Sequence, residues 1–172
     1  MPPVVFKLAL VSHCILNQAV RYWPPGARLE RPVFLLEIVS KLYRMGFSLL
    51  QLPCPEFLFK GNPRPSYTRT EYEMIDGFQD HCRKLASELA SSIEHVIDLS
   101  TEPRIELTAV VGVERSPSCA VFKVPVSSRD GRIYVDGRGI FMDMLEQELR
   151  ARGLYPRFIS VDFKANIILE AP

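Results

Sequence analysis

No run of apolar residues in this 172-residue chain reaches the roughly 18 that a helix needs to cross a bilayer. Charge of one sign is also lacking. With 21 basic against 20 acidic residues, the sequence offers no basic surface for nucleic acid. Neither glycine-rich phosphate pattern, Gly-x-x-x-x-Gly-Lys or Gly-x-Gly-x-x-Gly, occurs. The Cys-x5-Arg phosphatase loop is missing too, because six residues separate Cys14 from Arg21. The opening Met1-Pro2-Pro3-Val4-Val5-Phe6-Lys7 lacks the basic-then-apolar order of a secretory signal, so the expected location is cytoplasmic. Cysteine is scarce, at four residues. In a cytoplasmic chain such thiols are ligands, catalysts or buried apolar groups more often than disulfides. The length suits one domain over residues 1–172, large enough to fold without a staple.

What is present is one arrangement used three times. The apolar run Val4 to Val11 leads into Ser12-His13-Cys14, Phe47 to Leu52 into Pro53-Cys54-Pro55-Glu56, and Ile105 to Val113 into Glu114-Arg115-Ser116-Pro117-Ser118-Cys119. Continuous apolar runs read as strands buried on both faces, as in a parallel sheet. Between the first two, Pro32 to Met45 has helical spacing, with Val33, Leu36, Ile38, Leu42 and Met45 as its apolar face and Gly46 as its stop. The stretch from Ile15 to Arg28 reads as irregular, and 53–66, with four prolines, as non-helical. Thr70 with Glu73 reads as a capping box opening a long helix to about Ile97, broken near Gly77. Ala120 to Val126 and Arg132 to Val135 flank Asp130-Gly131, a hairpin signal. A helix from Ile140 to Arg152 and a last strand from Phe158 to Phe163 complete the chain. The alternation predicts an α/β fold: Rossmann-like, three-layered, with a mostly parallel sheet and a small β-hairpin.

In such sheets ligands bind beyond the carboxyl ends of the strands. Cys14, Cys54 and Cys119 all fall there, so the fold gathers on one rim residues that are 40 and 65 positions apart. Thiolates select zinc, copper(I) or iron–sulfur clusters. With His13 as a fourth ligand they make a Cys3His zinc set, although His13 and Cys14 diverge if the chain there is extended. Three thiolates alone suit a four-iron cluster with one open iron, a Lewis acid for a substrate atom. Glu56 is placed for general acid/base work, and Ser116 and Ser118 for hydrogen bonds to cluster or substrate. Taken singly, each cysteine reads as a small buried hydrophobe; three equivalent placements raise the ligand reading to even odds. Cys82, mid-helix, reads as a packing residue, and His81 and His95 as surface residues. Gly137-Arg138-Gly139 before a helix reads as a turn rather than an anion site.

These motifs resemble the thiouracil desulfidase family. The family pattern has Ser-x-Cys, then Cys-Pro-Glu followed by Pro-Arg-Pro, Ser-Pro-Ser-Cys, and Gly-x-Gly before a helix. The chain has them in order as Ser12-His13-Cys14, Cys54-Pro55-Glu56 with Pro63-Arg64-Pro65, Ser116 to Cys119, and Gly137-Arg138-Gly139. The resemblance implies a 4Fe-4S cluster on Cys14, Cys54 and Cys119, a small thiolated substrate, and Glu56 and Ser116 as the residues assisting proton transfer and water attack. It implies loss of sulfide from a thiolated nucleobase or similar thiocarbonyl heterocycle; the charge balance and the short apolar runs, separately, lead to no expectation of a nucleic acid or membrane partner. The chain departs from the pattern at Ala120, where the family has glycine, at the bulky Phe57-Leu58-Phe59-Lys60-Gly61, and at Cys14-Ile15-Leu16-Asn17. Phe57, Phe59, Tyr22 and Trp23 either reshape the pocket or simply pack. The rival readings are a non-catalytic zinc-binding domain and a partner-binding α/β domain.

Overall fold

The computed structural model describes residues 4–26, 34–165 and 167–170. Pro32 and Val33 of the first predicted helix lie outside them. The described elements run β1 (Val5–Val11), α1 (His13–Leu16), α2 (Phe34–Arg44), β2 (Phe47–Gln51), α3 (Pro55–Lys60), α4 (Arg69–Glu73), α5 (Phe78–Leu99), β3 (Arg104–Val113), β4 (Lys123–Ser128), β5 (Gly131–Asp136), α6 (Ile140–Ala151), β6 (Arg157–Asp162) and β7 (Ile167–Glu170). The main sheet has the order β2-β1-β3-β6-β7 and is parallel except for β7 against β6. A separate antiparallel hairpin pairs β4 with β5.

The two-residue period of the strands divides the core into two clusters. Leu8, Leu10 and Val110 face one side, packed under α5 and α6. Ala9, Val11, Ala109, Val111 and Ile159 face the other, packed under Leu35, Ile38 and Leu42 of α2. Helices on both faces of a mostly parallel sheet make the expected three layers. Phe78, Cys82, Ala86, Ala90 and Ile93, at close to helical spacing, are the fully buried face of α5. Cys82, Ala86 and Ala90 are small, and Phe78 and Ile93 fill the space at either end of that face.

Several elements differ from the sequence reading, each for a local reason. The proline-rich stretch does contain a helix, α3, because Pro55 occupies its first turn, where the missing N–H costs nothing. The capping box is Thr68 with Glu71, not Thr70 with Glu73. Both pairs have the right spacing, but Thr68 Oγ1 also meets Ser127 Oγ of the hairpin at 2.8 Å, and Glu73 is drawn into an ion pair with Arg69. The break near Gly77 separates α4 from α5, with Gly77 left-handed. Residues 15–20, expected to be irregular, fold within α1 and a 3-10 turn over Gln18–Val20, and His13 and Cys14 sit on a helical turn rather than on extended chain. Leu36 is 73% exposed, and Leu35 takes its place on the buried face. Beyond Phe163 the chain adds β7, whose turn is held by Asp162 Oδ1 accepting the N–H groups of Lys164 and Ala165. No described helix is long and apolar enough to cross a membrane.

A thiol-lined cavity as the candidate functional site

Strands β1, β2 and β3 are neighbours and point the same way, so their carboxyl ends share one edge. Three local devices turn the chain inward there. Ser12 donates its hydroxyl to Val111 O at 3.0 Å, tying the turn after β1 to β3. Cys54 is the N-cap residue of α3, which puts Glu56 in that helix's first turn. Beyond β3, Val113 N donates to Cys119 O at 2.9 Å and closes the loop 114–119. Cys14, Cys54 and Cys119 thereby line one cavity of about 250 Å³, together with Glu56, Glu114, Ser116 and Arg64. Ser118 is buried behind it and His13 is not part of its lining.

Two glycines make room for the loop that carries Cys119. A Cβ at Gly112 would lie 2.3 Å from Cys119 O, and one at Gly139 would lie 2.2 Å from the Ser118 carbonyl carbon. The N–H groups of Gly139, Ile140 and Met142 at the start of α6 donate to the carbonyls of Ala120, Pro117 and Ser118. The amino end of α6 is therefore spent on the cysteine loop, and the Gly-x-Gly segment packs against that loop as the chain turns from the hairpin into α6.

The three thiols are mutually close. Burial is the first cause that raises each of them, taking Cys14 to about 12 and Cys54 to about 11. Cys54 further raises Cys14, and Cys54 and Cys14 further raise Cys119. Burial and mutual repulsion favour the protonated thiols, opposed by Arg21 at Cys14 and by Arg64 at Cys54; deprotonated, they are soft ligands. Among the described residues, no three His, Cys, Asp or Glu groups gather tightly enough to hold a single metal ion.

Glu56 is the hub of the polar side. Its side chain is only 12% exposed and its Oε2 is 3.6 Å from the guanidinium of Arg64, itself 3% exposed. Tyr72 OH donates to Oε2 at 3.3 Å, and Ser116 Oγ approaches Oε1 at 3.5 Å. Burial raises the Glu56 pKa, opposed by Arg64 and by hydroxyls including Ser118 and Tyr72. Ser118 Oγ sits beside that carboxylate yet completes no hydrogen bond of ordinary geometry. Ser116 Oγ accepts from the N–H groups of Cys119 at 3.0 Å and Ser118 at 3.3 Å, which leaves its proton free for Glu56. Arg64 also donates to Val20 O at 2.9 Å, Gly61 O at 3.1 Å and Asn62 Oδ1 at 2.8 Å, fixing the loops on either side of Cys54.

Arg64 appeared in the sequence only as the middle of Pro-Arg-Pro, and Tyr72 had no signal of its own. Glu114 and Arg115 belonged to the organising stretch but had no role. Glu114 Oε2 accepts from Ser160 Oγ at 2.6 Å, and Arg115, with φ 63°, pairs with Asp162. Cys82 is nearer the site than its mid-helix position suggested, since Cys54 and Glu56 both raise its pKa, after burial. His81 is half-buried rather than on the surface, with Nε2 3.1 Å from Pro55 O and its ring against Phe59. Phe59 packs edge-on against Phe78 and does not line the cavity, whereas Tyr22 does.

A three-layer α/β protein with a thiol-lined cavity at the carboxyl edge of its parallel strands is the class defined by this geometry. Within that class, the chain belongs to the family described as "Putative 2-thiouracil desulfurase", whose profile matches residues 6–167. It is 28% identical over 167 residues to the uncharacterized protein MJ0003 of Methanocaldococcus jannaschii, covering 96% of this chain and 83% of that one. Its fold is similar to that of TudS, a 4Fe-4S-dependent thiouracil desulfidase, with a TM-score of 0.54, 22% identity and 90% of each chain covered.

Proposed function

We propose that the protein removes sulfur hydrolytically from a thiolated pyrimidine or similar thiocarbonyl heterocycle, using a 4Fe-4S cluster held by Cys14, Cys54 and Cys119. The carrying observation is the convergence of three thiols, Cys54 and Cys119 buried and Cys14 half-buried, from the ends of three adjacent strands, beside Glu56 and Ser116 in one cavity. Three thiols with no fourth Cys or His lining the cavity suit a 4Fe-4S cluster with one open iron better than a structural zinc, which takes four protein ligands. The zinc set with His13 has less support, because His13 does not line the cavity.

When bound, the cluster supplies a Lewis-acidic iron that polarises the thiocarbonyl sulfur. The residues of the chain manage water and protons. Glu56, nearly excluded from solvent and held between Arg64 and Tyr72, takes a proton from the attacking water. Ser116, pinned by two backbone N–H groups, keeps its hydroxyl on Glu56 and relays that proton toward the departing sulfur. Water oxygen bonds to the thiocarbonyl carbon and the carbon–sulfur bond breaks. Sulfide leaves with the electron pair, so no oxidant or reductant is needed.

The test is anaerobic purification and reconstitution with iron and sulfide, followed by analysis for iron, sulfide and zinc. The reading expects about four irons and four sulfides per chain, lost in Cys14→Ser, Cys54→Ser and Cys119→Ser. Stoichiometric zinc without iron, or a cluster indifferent to those replacements, would contradict it.

A further inference from the structure

The hairpin has two edges, and they are treated differently. The outer edge of β4 is occupied by the segment around α4: Ser127 N donates to Thr70 Oγ1 at 3.2 Å, and Thr68 Oγ1 meets Ser127 Oγ at 2.8 Å. Among the described residues no strand pairs with the outer edge of β5, and all six of its residues are exposed. It carries neither proline nor lysine, the usual guards of an open edge, and it displays Ile133, Tyr134 and Val135 in succession.

The hydrogen-bond phase of β5 follows from its register. The two-residue turn makes Ser128 and Gly131 a bonded pair, so Val126 with Ile133 and Val124 with Val135 are bonded pairs as well. Gly137 N donating to Phe122 O at 2.8 Å continues the same phase. The N–H and C=O groups of Arg132, Tyr134 and Asp136 therefore point outward. Pro125 lies opposite Tyr134, where β5 asks for no N–H.

The segment Arg132-Ile133-Tyr134-Val135-Asp136 is complementary to itself when reversed. We propose that β5 pairs antiparallel with β5 of a second copy about a two-fold axis at Tyr134. Tyr134 then exchanges backbone bonds with the partner's Tyr134, and Arg132 with the partner's Asp136, all through groups already aimed outward. Ile133 stands across from the partner's Val135, and the two pairs form one apolar patch. The side chain of Arg132 meets the partner's Asp136 on the same face, twice over by symmetry. Arg132 already donates to Ser66 Oγ at 2.8 Å and to Ser66 O, but a guanidinium has five N–H donors and can accept the carboxylate too. Arg132 and Tyr134 line the cavity, so this pairing brings the partner's Tyr134 to its mouth.

Charge reversal tests this directly. Arg132→Asp opposes Asp to Asp across the two-fold axis, and Asp136→Arg opposes Arg to Arg, whereas an equimolar mixture of the two variants pairs Asp with Arg at both ends. Sedimentation of the reconstituted full-length chain over a wide concentration range reads the outcome. The expected result is a dimer of twice the 19.6 kDa chain mass for the unmodified protein. Each variant alone should weaken association at least tenfold, and the mixture should regain it. Recovery in the mixture also shows that both variants fold. An unmodified protein that stays monomeric at every concentration, a dimer indifferent to both variants, or a mixture that does not recover would overturn the proposal.

Discussion

Arg64 shows how much of the site rests on a residue that is neither a thiol nor a proton carrier. Its guanidinium spans Val20, Gly61, Asn62 and Glu56 while itself buried. Truncating it leaves buried carbonyls without donors and a buried carboxylate without a counter-charge. Arg64→Ala should lower unfolding stability by about 3 kcal/mol in urea titrations, and a change within about half a kcal/mol would mean that the clamp is idle. Ser116 acts through one oxygen that accepts two backbone N–H groups and faces Glu56. Ser116→Ala should cut kcat by roughly a hundredfold with a much smaller change in KM; an unchanged kcat would remove Ser116 from the proton path. At this scale the three cysteines, Glu56 and Ser116 were legible in the sequence because each follows the end of an apolar run within six residues. Arg64 and Tyr72 were not, because they reach Glu56 from 8 and 16 positions away through loop and helix packing that no local pattern encodes.

Among the elements, α4 and the Cys119 loop carry the sharpest expectations. Glu71 returns the cap of α4 by accepting from Thr68 N at 2.6 Å, and that bond holds its pKa below the ordinary value of 4.5. A carboxylate with a depressed folded pKa stabilises above its unfolded pKa and loses that contribution as pH falls through the folded value. The urea midpoint should therefore drop between pH 5 and pH 3, and Glu71→Gln should remove part of that drop; an identical drop in the variant would contradict the cap. The loop after β3 tolerates no side chain at its two close approaches. Gly139→Ala should cost about 1–3 kcal/mol through overpacking and should displace Cys119, read as lost iron binding after reconstitution. An alanine there that keeps both stability and iron would show the backbone contact to be soft. The sequence contained two equally spaced capping boxes, and the choice between them goes with contacts to the hairpin and the Arg69–Glu73 ion pair, which the shared spacing does not encode. Helix α3 was hidden because proline was read as a breaker without regard to its place in the first turn.

For the molecule as a whole, the parallel sheet does the gathering. β1 lies between β2 and β3, so the three strand ends that carry thiols are neighbours although the cysteines are 40 and 65 residues apart. The strand–helix alternation made this readable in advance, along with the hairpin and the final helix. The terminal β7 was not readable, because its pairing is antiparallel and depends on the Asp162 turn. Membership of the 2-thiouracil desulfurase family agrees with the motif order, and the bulky loop after Cys54 proves to be α3 packed on α5 through Phe59 rather than a wall of the cavity. The central claim, that this rim performs hydrolytic sulfur removal, is tested most directly by measuring sulfide and uracil released from 2-thiouracil by the iron-loaded protein beside its Glu56→Gln variant. The account predicts equal amounts of both products from the unmodified protein, and release slowed by roughly a hundredfold or more in a variant that retains its iron. An iron-loaded protein that releases no sulfide from any thiolated heterocycle offered, or a Glu56→Gln variant that turns over at the full rate, would contradict it.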